Sequence, residues 1–213
     1  MVSEQRKREL ALLIVVVLAV AALVLFKDHG ARRAVKGIPE PVQQTASGET
    51  TVDVNGYHLT ITYQYSYDIR ALVASTHDYH GSGVGDGLSP KDALLIWGKV
   101  AEYNDRIDFH WRQGNRWYFW NTDTYEELAP VGGEAGVGLA SSNNHLIPAD
   151  AAVKKKIKKL KKGDYVEIRG YLVSIRGNNA ENASFYWNSS TTRADTGDGS
   201  CEVIYVTDVM QLD

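Results

Sequence analysis

The sequence predicts a mainly β protein, a small β-barrel with one amphipathic helix, preceded by a single N-terminal transmembrane helix. Three observations carry this expectation. Leu10 to Phe26 is an unbroken apolar run without a charge. Beyond it, short stretches of alternating apolar residues are separated by Gly, Asn and Ser turns. One later segment, 150–163, carries apolar residues at helical spacing instead.

The apolar run follows Arg6, Lys7 and Arg8 and spans 17 residues. At about 1.5 Å per residue it covers roughly 25 Å, and snorkelling by Arg8 and Lys27 makes up the difference to a hydrocarbon core of about 30 Å. Ala19 and Ala21 form an Ala-x-Ala, as in a cleavable signal peptide, but Ala22 to Phe26 continues apolar where a cleavage region turns polar. The expected organisation is a cytoplasmic stub over 1–9, a signal-anchor over 10–26, a tether over 27–49 and a β-rich domain over 50–213. Basic residues flank the run on both sides, so charge asymmetry does not fix orientation. The short stub favours a C-terminal domain outside the cytoplasm, which in a bacterium places the chain in the inner membrane with a periplasmic domain.

Composition bounds the partners. The chain has 213 residues, 44% hydrophobic and 10% aromatic, which suits one ordinary domain and excludes a mainly disordered chain. A single Cys excludes a disulfide framework. Of 23 basic and 26 acidic residues, 1–27 hold four and two, leaving 19 and 24 and a net charge of about −5 on the rest. An acidic domain is a poor nucleic-acid binder.

The elements follow in order. Gly30, Gly37, Pro39, Pro41 and Ser47 mark the tether. Val52 to Tyr63 alternates around Asn55-Gly56, a hairpin signal, and Ile69 to Ser75 reads as a further strand. His77 to Leu88 is a glycine-rich loop, Ser89-Pro90 begins a short helical turn, and Ala93 to Val100 is a buried apolar segment. Ile107, Phe109 and Trp111 alternate with polar residues, and Gln113-Gly114-Asn115 turns the chain into Trp117–Trp120. Gly132, Gly133, Gly136 and Gly138 fall in a loop. Asp150 is the expected N-cap of the helix, Val153, Ile157 and Leu160 its buried stripe and Gly163 its stop. Strands follow around Val166–Leu172, with a bend at Gly170, then at Phe185–Trp187 and Val203–Val206. Strand, hairpin, helix and further strands is the chain order of an OB-like barrel, with a different small barrel or a β-sandwich capped by one helix as the competing arrangement.

Four stretches, Leu94-Leu95-Ile96-Trp97-Gly98, Ser142 to Ala149, Gly163 to Val173 and Arg193 to Glu202, resemble those of uncharacterised bacterial membrane-anchored proteins with a small OB-like β-barrel domain. The resemblance covers roughly 68–210. It implies the architecture and carries no established activity.

Candidate chemistry is sparse. Asp195-Thr196-Gly197 matches the aspartic-protease triplet but lacks the preceding apolar strand, and reads as a turn. Asp195, Asp198 and Glu202 could offer oxygen ligands to calcium without the spacing of an EF-hand. His77 and His80, beside Asp78 and Asp86, are a candidate metal pair, and solvated loop histidines are the simpler reading. His145 could serve as a general base or anchor its loop. Seven lysines between 154 and 162 make the helix basic on all sides but one, either a solvated face or a contact for anionic headgroups. Trp111, Trp117, Tyr118 and Trp120 concentrate aromatic surface on one hairpin. The expected ligand-binding residues are therefore Tyr118, Trp120, Trp111, Arg193 and His145. No cofactor is expected. The expected function is a non-catalytic binding or assembly module at the membrane with a protein or glycan partner. The alternatives are an extracytoplasmic metal-dependent or hydrolytic enzyme, and a nucleic-acid-binding barrel on the cytoplasmic side.

Overall fold

The computed structural model describes residues 6, 13–18, 32–193 and 200–213. Residues 13–18 are helical, and no helix among the described residues is long and apolar enough to cross a membrane. Most of the apolar run 10–26 lies outside the described residues, as do Asp195 and Asp198.

The chain is mainly β. Its strands are β1 (Val42–Thr45), β2 (Glu49–Val54), β3 (Tyr57–Asp78), β4 (Lys91–Ile96), β5 (Arg112–Gly114), β6 (Trp117–Phe119), β7 (Ser141–Pro148), β8 (Tyr165–Asn179), β9 (Ser184–Asn188) and β10 (Glu202–Leu212). Among the described residues from 32 onward, the helices are α1 (Val84–Leu88), α2 (Gly98–Tyr103), α3 (Gly133–Leu139) and α4 (Ala151–Lys159), with a 3-10 helix over Tyr125–Val131. β3 pairs antiparallel with β4, β4 with β7, β10 with β8 and β8 with β3, while β7 and β10 run parallel. These five pairings return to their starting strand. β1 and β2 add to β3, β9 adds to β8, and β5 and β6 form a separate hairpin.

Local chemistry explains the long strands. Asn55 (φ 48°) and Gly56 (φ 81°) form the expected two-residue turn between β2 and β3, with Val54 opposite Tyr57. β3 then runs unbroken for 22 residues. The two strands expected here are one, because register slips between Tyr63 and Tyr65 and again between Val73 and Ser75 break the alternation without breaking the strand. Gly170 sits opposite Val206 beside a further slip, and a Cβ there would lie 2.1 Å from the Tyr205 carbonyl oxygen, so only glycine allows this approach.

Apolar packing occupies both faces of β8. Val166, Ile168 and Leu172 join one core with Ile69, Leu94, Ile96, Ile204 and Val206. Val173 and Ile175 join a second with Leu59, Ile61, Ile147 and Val203, bordered by Trp187 and the stacked rings of Tyr63 and Tyr171. α4 is as the spacing predicts: the Asp150 carboxylate accepts from the Val153 N–H at 2.8 Å, and Val153, Ile157 and Leu160 are buried. Each of these burials contributes roughly 1.5–3 kcal/mol relative to exposure.

Several expectations are corrected. From Arg32 onward the expected tether packs on the domain: Ile38 is buried, Val35 N–H donates to the Ala101 carbonyl at 3.1 Å, and β1 joins the sheet. Ser89 ends α1 rather than starting a helix. Ala93–Val100 is divided between β4 and α2. The glycines at 132–138 belong to the end of the 3-10 helix and to α3, not to a loop. Residues 107–111 are not a strand, because His110 (φ 42°) breaks the alternation and its N–H turns back to Asp108 at 3.1 Å. The β5–β6 turn lies at Asn115 (φ 52°) and Arg116 (φ 67°), one residue later than expected.

Candidate functional site

A cleft of about 690 Å³ opens between the β5–β6 hairpin, α3, the start of β7 and the segment leading into β10. Trp117, Tyr118, Phe119 and Trp120 form one wall, and Ser141, Ser142, Arg193 and Glu202 lie on the other side. Three of the five expected ligand-binding residues, Tyr118, Trp120 and Arg193, meet here. Phe119 and Leu139 are exposed apolar side chains at the same cleft.

Arg193 and Glu202 give the cleft its charge. The guanidinium pairs through Nη1 with Glu202 Oε1, and Nη2 donates to Tyr67 Oη at 2.6 Å. It lies 5.5 Å from the ring centres of both Tyr67 and Trp97. Burial pushes the Tyr67 phenol up to about 12, with the nearby guanidinium pulling the other way. Glu202 is 2% exposed, yet its Oε2 meets no hydrogen-bond partner among the described residues. A buried carboxylate oxygen left without a donor is costly. Tyr118 Oη lies 3.1 Å from Ser141 Oγ, and burial raises the Tyr118 phenol.

Trp111 stands behind this wall rather than in it. Its indole N–H donates to Asn104 Oδ1 at 3.0 Å, and its ring stacks on Phe109 with centres 4.7 Å apart. It therefore supports Tyr118 and Trp120, whose rings lie 6.4 and 6.5 Å from its own.

His145 occupies a different, buried polar cluster. Its Nδ1 donates to Asp92 Oδ1 at 2.9 Å, and the same oxygen accepts from Arg116 Nη1 at 2.7 Å. Arg116 also reaches Asp86 at 2.6 Å, its N–H donates to Tyr79 Oη at 2.8 Å, and its guanidinium lies 3.5 Å from the Tyr79 ring centre. Trp187 covers His145 at 4.7 Å between rings. Burial, with the Asp92 charge next, pushes the Tyr79 phenol up to about 12. Register brings His77, Asp92 and His145 opposite one another on β3, β4 and β7. Sequence reasoning missed Asp92 and Arg116. The signal for Asp92 was a Lys91-Asp92 pair leading directly into the apolar Ala93–Ile96, where a buried charge requires a partner.

His145 and its neighbours Asn143 and Asn144 lie in β7 rather than in a loop. Asn143 Nδ2 donates to the Arg116 carbonyl at 2.8 Å, and Gln113 Nε2 donates to Asn143 Oδ1 at 2.6 Å, so β7 holds β5 and the turn of the aromatic hairpin. Asn144 Nδ2 bonds the Ala93 carbonyl across the sheet.

The metal candidates do not assemble among the described residues, where no group of three His, Cys, Asp or Glu side chains is placed to hold an ion. The His77 ring packs on Tyr79, 4.7 Å between centres. His80 lines a separate cleft with Asp78 and Asp86, but Lys154 and Lys158 line it too and oppose a cation. No protein-family model, no curated protein and no solved structure matches this chain.

Proposed function

We propose that this chain is a membrane-anchored, non-catalytic binding module, displayed outside the cytoplasm, which takes a glycan in the cleft between Trp120 and Glu202. In this reading the five-strand circuit is an OB-like barrel. Its support is the strand order, the parallel pair β7–β10 and the helix α4 between β7 and β8. Residues 10–26 are read as the bilayer anchor from their unbroken apolar character.

The observation that carries the ligand class is Glu202 Oε2, a buried acceptor without a partner among the described residues, lining an aromatic-walled cleft. A sugar ring offers a face for stacking and hydroxyls for such an acceptor. The net acidic domain disfavours a polyanion, so nucleic acid is the weaker reading. Binding is favoured over catalysis because His145 and Asp92 lie beneath Arg116 and Trp187, away from the cleft.

The test is a glycan array probed with the detergent-solubilised full-length chain. Binding to a defined oligosaccharide class, lost on Trp120→Ala, supports the proposal. Absence of binding to neutral, amino and acidic glycans alike overturns it.

A further inference from the structure

We propose that the lysine face of α4 lies on the surface of an anionic bilayer and so orients the domain over the membrane. This rests on reading residues 10–26 as a bilayer anchor. All seven lysines between 154 and 162 are exposed, and the helix itself contains no acidic residue. At about 100° per residue, Lys155 points away from the buried stripe of Val153, Ile157 and Leu160, and Lys158 and Lys159 flank that outward direction at about 50° to either side. The carboxylates that flank the helix are turned to its backbone: Asp150 accepts from the Val153 N–H, and Asp164 from the Lys161 N–H at 3.0 Å. Asp208 pairs with the flanking Lys156, at 2.5 Å, and Asp78 and Asp86, which share a cleft with Lys154 and Lys158, are paired with Lys91 and Arg116. The outward face is thus strongly positive on a domain that is otherwise acidic.

Chain length puts that face beside the anchor. Arg32 and Lys162 line one cavity of about 160 Å³, and Arg32 is held there by its ion pair with Asp108. Only residues 27–31 separate Phe26 from Arg32, and six residue steps extend at most about 22 Å. The C-terminal end of the lysine segment is therefore confined near the bilayer surface if 10–26 spans it. An anionic leaflet attracts this face and repels the rest of the acidic domain, so one orientation is selected. A nucleic acid would have to approach the same lysines against the domain's net charge, which favours lipid.

The full-length chain is reconstituted into nanodiscs of phosphatidylcholine alone or with about 30% phosphatidylglycerol, and lysine acylation is mapped by mass spectrometry. The expected result is about threefold or slower acylation at 154–162 in anionic discs, with Lys99 unchanged. This protection is lost near 1 M salt, where the screening length falls to about 3 Å. Replacing Lys155, Lys158 and Lys159 together by Gln, all at exposed positions, removes the lipid dependence at Lys162. Incorporation with equal acylation in both discs overturns this inference alone. So does protection by added duplex DNA with no effect of phosphatidylglycerol. Failure of the chain to enter discs overturns the anchor reading and this inference with it.

Discussion

Arg116 Nη1 donates to Asp92 Oδ1 at 2.7 Å, tying a hairpin turn in the left-handed region to a carboxylate that is 1% exposed. Arg116 holds φ at 67° without being glycine, a conformation that costs of order 1 kcal/mol and persists where surroundings enforce it. Those surroundings are Asp92, Asp86, Tyr79 and Asn143. The turn leads directly into Trp117–Phe119, so the same contacts position the aromatic wall of the cleft.

Removing this clasp should be costly. Arg116→Ala leaves Asp92 with His145 and Ser89 but no guanidinium, and is expected to destabilise the fold by about 3 kcal/mol in chemical denaturation. Arg116→Lys should recover little, since an ammonium does not span Asp92 and Asp86 as the planar fork does. Wild-type stability in Arg116→Ala would show that the clasp is incidental.

Gly170→Ala should destabilise by about 1–3 kcal/mol or more, because the new methyl group meets the Tyr205 carbonyl in a paired strand. Gly138→Ala, in α3 with nothing within 4 Å of its Cβ, should be neutral or stabilise by about 0.5–1 kcal/mol. Melting temperatures of the two variants moving in the same direction would contradict the packing described here.

Tyr67 and Tyr79 should titrate late. Both phenols hold their protons up to about 12 in the folded chain, against 10 when unfolded. Between those values the folded chain binds more protons than the unfolded one, so stability is complete below pH 10 and falls as pH rises towards 12. For the buried Tyr67 the loss amounts to roughly 2–3 kcal/mol. Phenolate absorbance recorded against pH checks this: the Tyr67→Phe variant should lose one late-ionising group, and an unchanged curve would argue against the burial of Tyr67.

What could be read from sequence was local. The Asn55-Gly56 turn, the Asp150 cap and the 153, 157, 160 stripe are properties of a few neighbouring residues, and each is found in place. The tether was misread because Gly, Pro and polar residues at 30–47 say nothing of backbone bonds made to α2 and β3, distant in sequence. The site was half legible. Tyr118, Trp120 and Arg193 were selected by residue type, but their meeting depends on the pairing of β7 with β10. Asp92 and Arg116 were missed because their partnership joins a strand to a hairpin turn 24 residues away.

The central claim is that the cleft is the binding site, and titration calorimetry of the full-length chain with an array-identified oligosaccharide tests it most directly. Trp120→Ala should weaken binding by about ten- to a hundredfold through lost stacking, and Glu202→Gln should weaken it by about tenfold through lost charge-assisted hydrogen bonding. Arg116→Lys should weaken it only as far as the hairpin is displaced. Affinity unchanged in both Trp120→Ala and Glu202→Gln would place the ligand elsewhere and contradict the account.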